Sequence, residues 1–200
     1  MSEDTYEFIR KQFMSNFILE KRAPLGLKSL NIRTRITNPL GKGCIVDVET
    51  TGLDPQADVT LALGLLVKDK AKVYQLVKPE YQGNFQHGIQ QRVREAPTPR
   101  YSYNSEFERE FLSIRDGWED LTQHRERPGY QWENPEYDPY IRLHLTDCTT
   151  APFTQKDILG IDVPLQWIKW LKTKNPTDLW PITFHCLCDV LRTRQLIKDE

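Results

Sequence analysis

Between residues 5 and 20, Tyr6, Ile9, Phe13 and Phe17 recur at steps of three and four, the spacing that places side chains on one face of a helix. This helix is expected to pack on the back of the domain. Its aromatic stripe makes a homo-oligomer contact the alternative. After a linker at Ala23-Pro24-Leu25-Gly26, residues 30–37 alternate loosely and Asn38-Pro39-Leu40-Gly41 marks a turn. From Gly43 the pattern becomes strand-like. Cys44–Val48, Val59–Val67 and Val73–Val77 are short apolar runs, the last two separated by the polar turn Lys68-Asp69-Lys70. Their tight connections predict a three-stranded antiparallel meander.

The second half reads as helices joined by polar connections. Residues 79–104, rich in Gln, Arg and Pro, are expected to form a long surface loop. Phe107, Phe111, Ile114 and Trp118 predict a helix over 106–121. Residues 125–135 are a further polar stretch, with Tyr130 and Trp132 able to face inward. Helices are predicted over 138–145 and 163–172, each with a proline where the first turn tolerates it, and over 182–198. Strands first and helices after point to one α/β or α+β unit over 41–200, opened by the meander and flanked by helices, and preceded by an N-terminal helical extension and linker over 1–40.

Charge narrows the possible activities. Lys and Arg number 27 and Asp and Glu 28, a net charge of −1. That excludes a protein coating nucleic acid by charge alone, but not an enzyme whose own carboxylates are neutralised by metal. No run approaches the ~20 apolar residues a membrane span needs, and Arg10 and Lys11 interrupt the first apolar stretch. A cytoplasmic protein with no membrane partner, its four cysteines reduced, is the expectation. His185, Cys186 and Cys188 do not read as a zinc site. Helical residues two apart point to different sides, and no second Cys or His pair stands at finger spacing.

The chemistry is concentrated in Val46-Asp47-Val48-Glu49-Thr50-Thr51-Gly52-Leu53. Carboxylates at i and i+2 of a strand share one face. Burying two anions side by side costs several kcal/mol unless they are neutralised, and oxygen ligands favour Mg²⁺ or Mn²⁺ over zinc. The competing reading, a solvent-facing edge strand, leaves Cys44, Val46 and Val48 on the core side.

Asp47-Val48-Glu49-Thr50-Thr51-Gly52-Leu53-Asp54-Pro55 resembles the first motif of the DnaQ-like DEDD 3′→5′ exonuclease superfamily, whose fold is RNase H-like, and Val59–Val67 resembles its second strand. The second motif of that family is an Asn, two or three spacers, an aromatic and an Asp at a helix start. Asn134-Pro135-Glu136-Tyr137-Asp138 fits it, with Asp147 and Asp162 as rivals to Asp138. The third motif resembles Phe184 to Thr193, where His185 and Asp189 stand at i and i+4 and share a helix face. The His branch of the family separates these two residues by one more position. The spacing here is that of the Tyr branch.

The resemblance implies that Asp47, Glu49, Asp138 and Asp189 hold two Mg²⁺ or Mn²⁺ ions and that His185 accepts the proton of the attacking water. Thr50, Thr51 and Leu53 would seat the terminal nucleotide. The implied activity is 3′→5′ hydrolysis of single-stranded nucleic acid, DNA favoured over RNA. The alternative is a catalytically inactive RNase H-like module that binds nucleic acid or protein. Arg92, Arg94, Arg100, Arg125 and Arg127, with Tyr101, Tyr103, Tyr130 and Trp132 between them, are candidates for a backbone-and-base groove.

Overall fold

The computed structural model describes residues 3–19, 27–33, 40–121 and 157–197. Helix α1 (Glu3–Leu19) is followed by strands β1 (Leu27–Arg33), β2 (Cys44–Thr50), β3 (Thr60–Val67) and β4 (Lys70–Leu76). Then come α2 (Gln82–Glu95), β5 (Arg100–Ser102), α3 (Ser105–Leu112), β6 (Trp118–Asp120), α4 (Val163–Thr173) and α5 (Trp180–Leu196). The six strands form one mixed sheet in the order β1-β4-β3-β2-β5-β6. β2, β3 and β4 make the expected antiparallel meander, β1 adds antiparallel to β4, and β5 and β6 add in parallel on the other side.

Alternation along β3 assigns the two faces of the sheet. Gly64 meets α5, where a Cβ would stand 2.4 Å from Val190 Cγ2 and 3.0 Å from Cys186 Sγ. Leu65 and Val67 turn to the side of α2, sharing a groove with Arg92 and Ala96. α5 lies across β2, β3 and β4. With its own Trp180 and the α4 residues Trp167 and Trp170 buried as well, the strands are apolar on both faces, as expected of a sheet covered on both sides.

Two elements differ from expectation. Residues 79–104 are not a surface loop: α2 occupies most of them, held by Phe85, Ile89 and Val93, each fully buried. These recur every four residues among Gln and Arg, so one narrow stripe fixes the helix while its other faces stay polar. The helix expected over 106–121 ends early. Ser113 adopts φ 52°, a left-handed cap, and Gly117 (φ 75°) leads into β6.

Tyr6, Ile9 and Phe13 of the α1 stripe are spent inside the molecule. Ile9 and Phe13 are buried, Tyr6 packs edge-on against Trp180 and Phe184, and the Trp180 indole donates to the Tyr6 hydroxyl at 2.8 Å. This is the packing expected of the helix; the alternative, a homo-oligomer contact, gains no support, because Tyr6, Ile9 and Phe13 already pack within the chain.

Candidate active site

Asp47 and Glu49 project from β2 opposite the two smallest residues of β3: Asp47 pairs with Gly64 and Glu49 with Ala62. The missing side chain at Gly64 lets α5 approach closely. After Glu49 the register slips, so that Thr50 faces Thr60. Such an irregularity re-aims the chain where pairing ends. The loop beyond is braced by Asp58, which accepts from the Thr51 hydroxyl at 2.9 Å and the Asp54 amide at 3.0 Å. A Cβ on Gly52 would stand 2.3 Å from that carboxylate, so a side chain there would have to displace the brace. The Thr50 hydroxyl donates to the Gly52 carbonyl. Leu53, at the tip, is 83% exposed.

α5 begins with Pro181 in its first turn, where proline loses no hydrogen bond. His185, Asp189 and Arg192 then follow at i, i+4 and i+7, one stripe of the helix. That stripe meets β2. His185 Nε2 lies 3.8 Å from Glu49 Oε1 and 3.7 Å from Asp189 Oδ2. The Glu49, His185 and Asp189 donor atoms lie within 4.8 Å of one another, and those of Asp47, Glu49 and Cys186 form a second such group. His185 is buried, not an exposed helix-start residue. Cys186 and Cys188 are buried free thiols.

Several residues of this centre lay outside the sequence reading. Asp157 Oδ1 is 3.1 Å from His185 Nδ1, and Arg192, fully buried, pairs with both Asp157 and Asp189. Glu108, from α3, is buried and close enough to Asp47 for the Asp47 charge to add to the burial that raises its carboxyl. A sequence signal for it existed. Asn104, two spacers, Phe107 and Glu108 repeat the spacing sought at Asn134 to Asp138, with Glu in place of Asp.

Asp138 and its rival Asp147 lie outside the described residues, as do Arg125, Arg127, Tyr130 and Trp132. Asp162 does not join the cluster; its carboxylate accepts weakly from the Leu159 amide at 3.4 Å. Arg100 is not a free backbone binder. It is buried and donates to the carbonyls of Val93 and Asp116, tying α2 to the turn before β6. Arg92 and Arg94 are exposed, and Arg92 lies over the Tyr74 ring.

The electrostatics are those of an anion-rich pocket. Burial pushes the Asp47 carboxyl up to about 7, with the Asp189 charge adding to the effect. Burial likewise holds Glu49 and Glu108 well above the usual carboxylate range. Burial alone would lower His185, but Glu49, Asp189 and Asp157 outweigh it and raise the imidazole to about 11. Asp47 Oδ2 and Glu108 Oε2 are buried with no hydrogen-bond partner. Unpartnered carboxylate oxygens in a cluster whose permanent cation is Arg192 suit hard divalent cations, so the donor set fits Mg²⁺ or Mn²⁺.

These shifts give a test that needs no substrate. A carboxyl raised on folding contributes stability that is complete below its ordinary pKa and lost as pH rises through the folded value. For Asp47 that window runs from 3.8 to about 7. Glu49 and Glu108 have the same sign, and His185 loses its contribution only between 6.5 and about 11. In chelator, the melting temperature is expected to fall between about pH 4 and pH 8, and Mg²⁺ or Mn²⁺ at pH 8 to restore it. A melting temperature that climbs over that range in chelator contradicts the account.

The sequence matches the model of the RNase_H_2 family, RNase_H superfamily, over residues 44–199. The chain belongs to the RNase H superfamily. No curated protein and no solved structure matches it. With the acidic cluster, membership indicates an activity of nuclease type on nucleic acid. Among the described residues, no helix is long and apolar enough to cross a membrane.

Proposed function

We propose that this protein is a metal-dependent 3′→5′ exonuclease of the DEDD type acting on single-stranded nucleic acid. The observation that supports this reading best is the meeting of Asp47 and Glu49 on β2 with His185 and Asp189 on α5. Four residues of the two best-matched motifs, about 140 positions apart in sequence, fall into one buried cluster.

Asp47, Glu49 and Asp189 would hold the divalent cations, with Glu108 as the further carboxylate in the role expected of Asp138. Mg²⁺ or Mn²⁺ held there would supply activation of the attacking water and charge stabilisation at the leaving 3′-oxygen. With Glu49 and Asp189 engaged as ligands, two of the charges that raise the imidazole would be offset, and His185 Nε2 would accept the water's proton. Leu53, exposed in the loop that follows Glu49 and Thr50, would pack against the terminal base, and the braced Thr50–Thr51 segment would seat the terminal nucleotide.

The choice between Glu108 and Asp138 is testable. Glu108→Gln is expected to lower hydrolysis by on the order of 10²-fold, the usual loss for one electrostatic contact to the reacting groups, and Asp138→Asn to leave it near the parent rate. The reverse pattern would return the role to Asp138. The function itself is tested by incubating single-stranded DNA and RNA with the protein and Mn²⁺ or Mg²⁺, with and without EDTA. Degradation that EDTA does not stop would overturn the metal-dependent reading.

A further inference from the structure

We propose that Asp157 is the positioning residue for His185, fixing the imidazole from the side away from the carboxylate pair, with Arg192 tying that anchor to Asp189. The geometry of this anchor stands by itself; its effect on rate rests on the nuclease reading above.

An imidazole can orient a lone pair only if its other nitrogen is held. Here Nδ1 is 3.1 Å from Asp157 Oδ1, within hydrogen-bond range. Nε2 stands 3.8 Å from Glu49 and 3.7 Å from Asp189, too far for a direct bond. A carboxylate can only accept, so Nδ1 carries the proton, and Nε2 is the atom turned to the reaction centre. The Asp157 side chain is 3% exposed, which shields this bond from competing water.

Asp157 is itself held. Its Oδ2 lies 2.6 Å from Arg192 Nη1, and the same nitrogen reaches Asp189 Oδ1. The Asp157 contact is an ion pair rather than a directed hydrogen bond, since Oδ2 has no hydrogen-bond partner of normal geometry. Arg192 thus links the acid behind the imidazole to the acid in front of it.

The chain around Asp157 serves the same end. Three residues on, Gly160 lies against the other edge of the ring: a Cβ there would be 3.5 Å from His185 Nε2. The segment 157–160 therefore brackets the imidazole. A carboxylate holds one nitrogen, and a residue without a side chain leaves space beside the other.

If Asp157 served only to neutralise buried Arg192, its loss would lower stability and leave the imidazole and the chemical step alone. Protein labelled with ¹⁵N-histidine separates the two roles. The chain has four histidines, and a His185→Gln variant identifies the His185 signals by their loss. In the parent protein, the His185 Nδ1 proton is expected to be visible and slow to exchange. Asp157→Asn, whose carbonyl can still accept, should keep it, and Asp157→Ala should lose it. Asp157→Ala should also lower kcat by about 10- to 100-fold, as loss of an orienting partner does, with KM little changed, and Asp157→Asn should recover most of that loss. A parent protein with no protected Nδ1 proton overturns the proposal even if the alanine variant does not fold. So does an Asp157→Ala protein with parental kcat and only a lowered melting temperature. A protein that shows the expected proton pattern but degrades no nucleic acid supports the anchor and removes the nuclease reading.

Discussion

Asp47→Ala is expected to reduce hydrolysis by on the order of 10³-fold or more while the protein stays folded. Removing a single electrostatic contact to a transition state typically costs ~10²–10³-fold, and Asp47 belongs to the group that would hold the cations themselves. Folding should survive because Asp47 stabilises little without metal. Its carboxyl is pushed up by burial and by Asp189, and its Oδ2 has no partner. Alanine relieves both conditions and leaves the flanking core residues Val46 and Val48 in place. In chelator at neutral pH the variant should melt at or above the parent temperature. Divalent cations should then raise its melting temperature less than the parent's. A variant that hydrolyses within a few-fold of the parent contradicts the role given to Asp47.

His185→Ala should separate proton transfer from metal binding. A general base contributes ~10²–10⁴-fold, and that loss is expected in single-turnover rates near neutral pH. Mn²⁺ affinity should change little, because Asp47, Glu49 and Asp189 all remain. His185→Tyr is the sharper variant. His185 stands four residues before Asp189, the Tyr-branch spacing, and its ring already reaches toward Glu49 and Asp189. A tyrosine on the same helix position points its hydroxyl the same way, so partial activity is expected. Unchanged single-turnover rates in His185→Ala would remove His185 as the base.

The parts of this molecule legible in the sequence are those written locally. β2, β3 and β4 run largely apolar and follow one another in the chain, with residues 68–69 as the tight turn between β3 and β4, so both strands and pairing follow from neighbours in the chain. Asp47 with Glu49, and His185 with Asp189, share a strand face and a helix face by spacing alone. α2 was hidden because three apolar residues in fourteen leave a composition that resembles a loop. The helix period of Phe107, Phe111 and Ile114 continues by coincidence to Trp118, across a left-handed residue at Ser113 that no periodicity reveals. Glu108 was hidden because a glutamate stands where the motif has an aspartate. Asp157 has no local signature. Its meaning comes from meeting His185, 28 residues away in sequence, and Arg192 reads as an ordinary helix-surface cation until the structure buries it between two acids.

Hydrolysis of nucleic acid from the 3′ end by this cluster and a divalent cation would be visible in the reaction products. The most direct measurement uses one single-stranded oligonucleotide labelled at its 5′ end and the same oligonucleotide labelled at its 3′ end, each incubated with the protein and Mn²⁺. The expected product of the 5′-labelled strand is a ladder shortening one nucleotide at a time. Immediate release of a labelled mononucleotide is expected from the 3′-labelled strand, and neither product in EDTA or with Asp47→Ala. Internal fragments from both strands would show an endonuclease instead. Intact strands with Mn²⁺ present, on both DNA and RNA, would contradict this activity and return the chain to the reading of an inactive RNase H-like binding module.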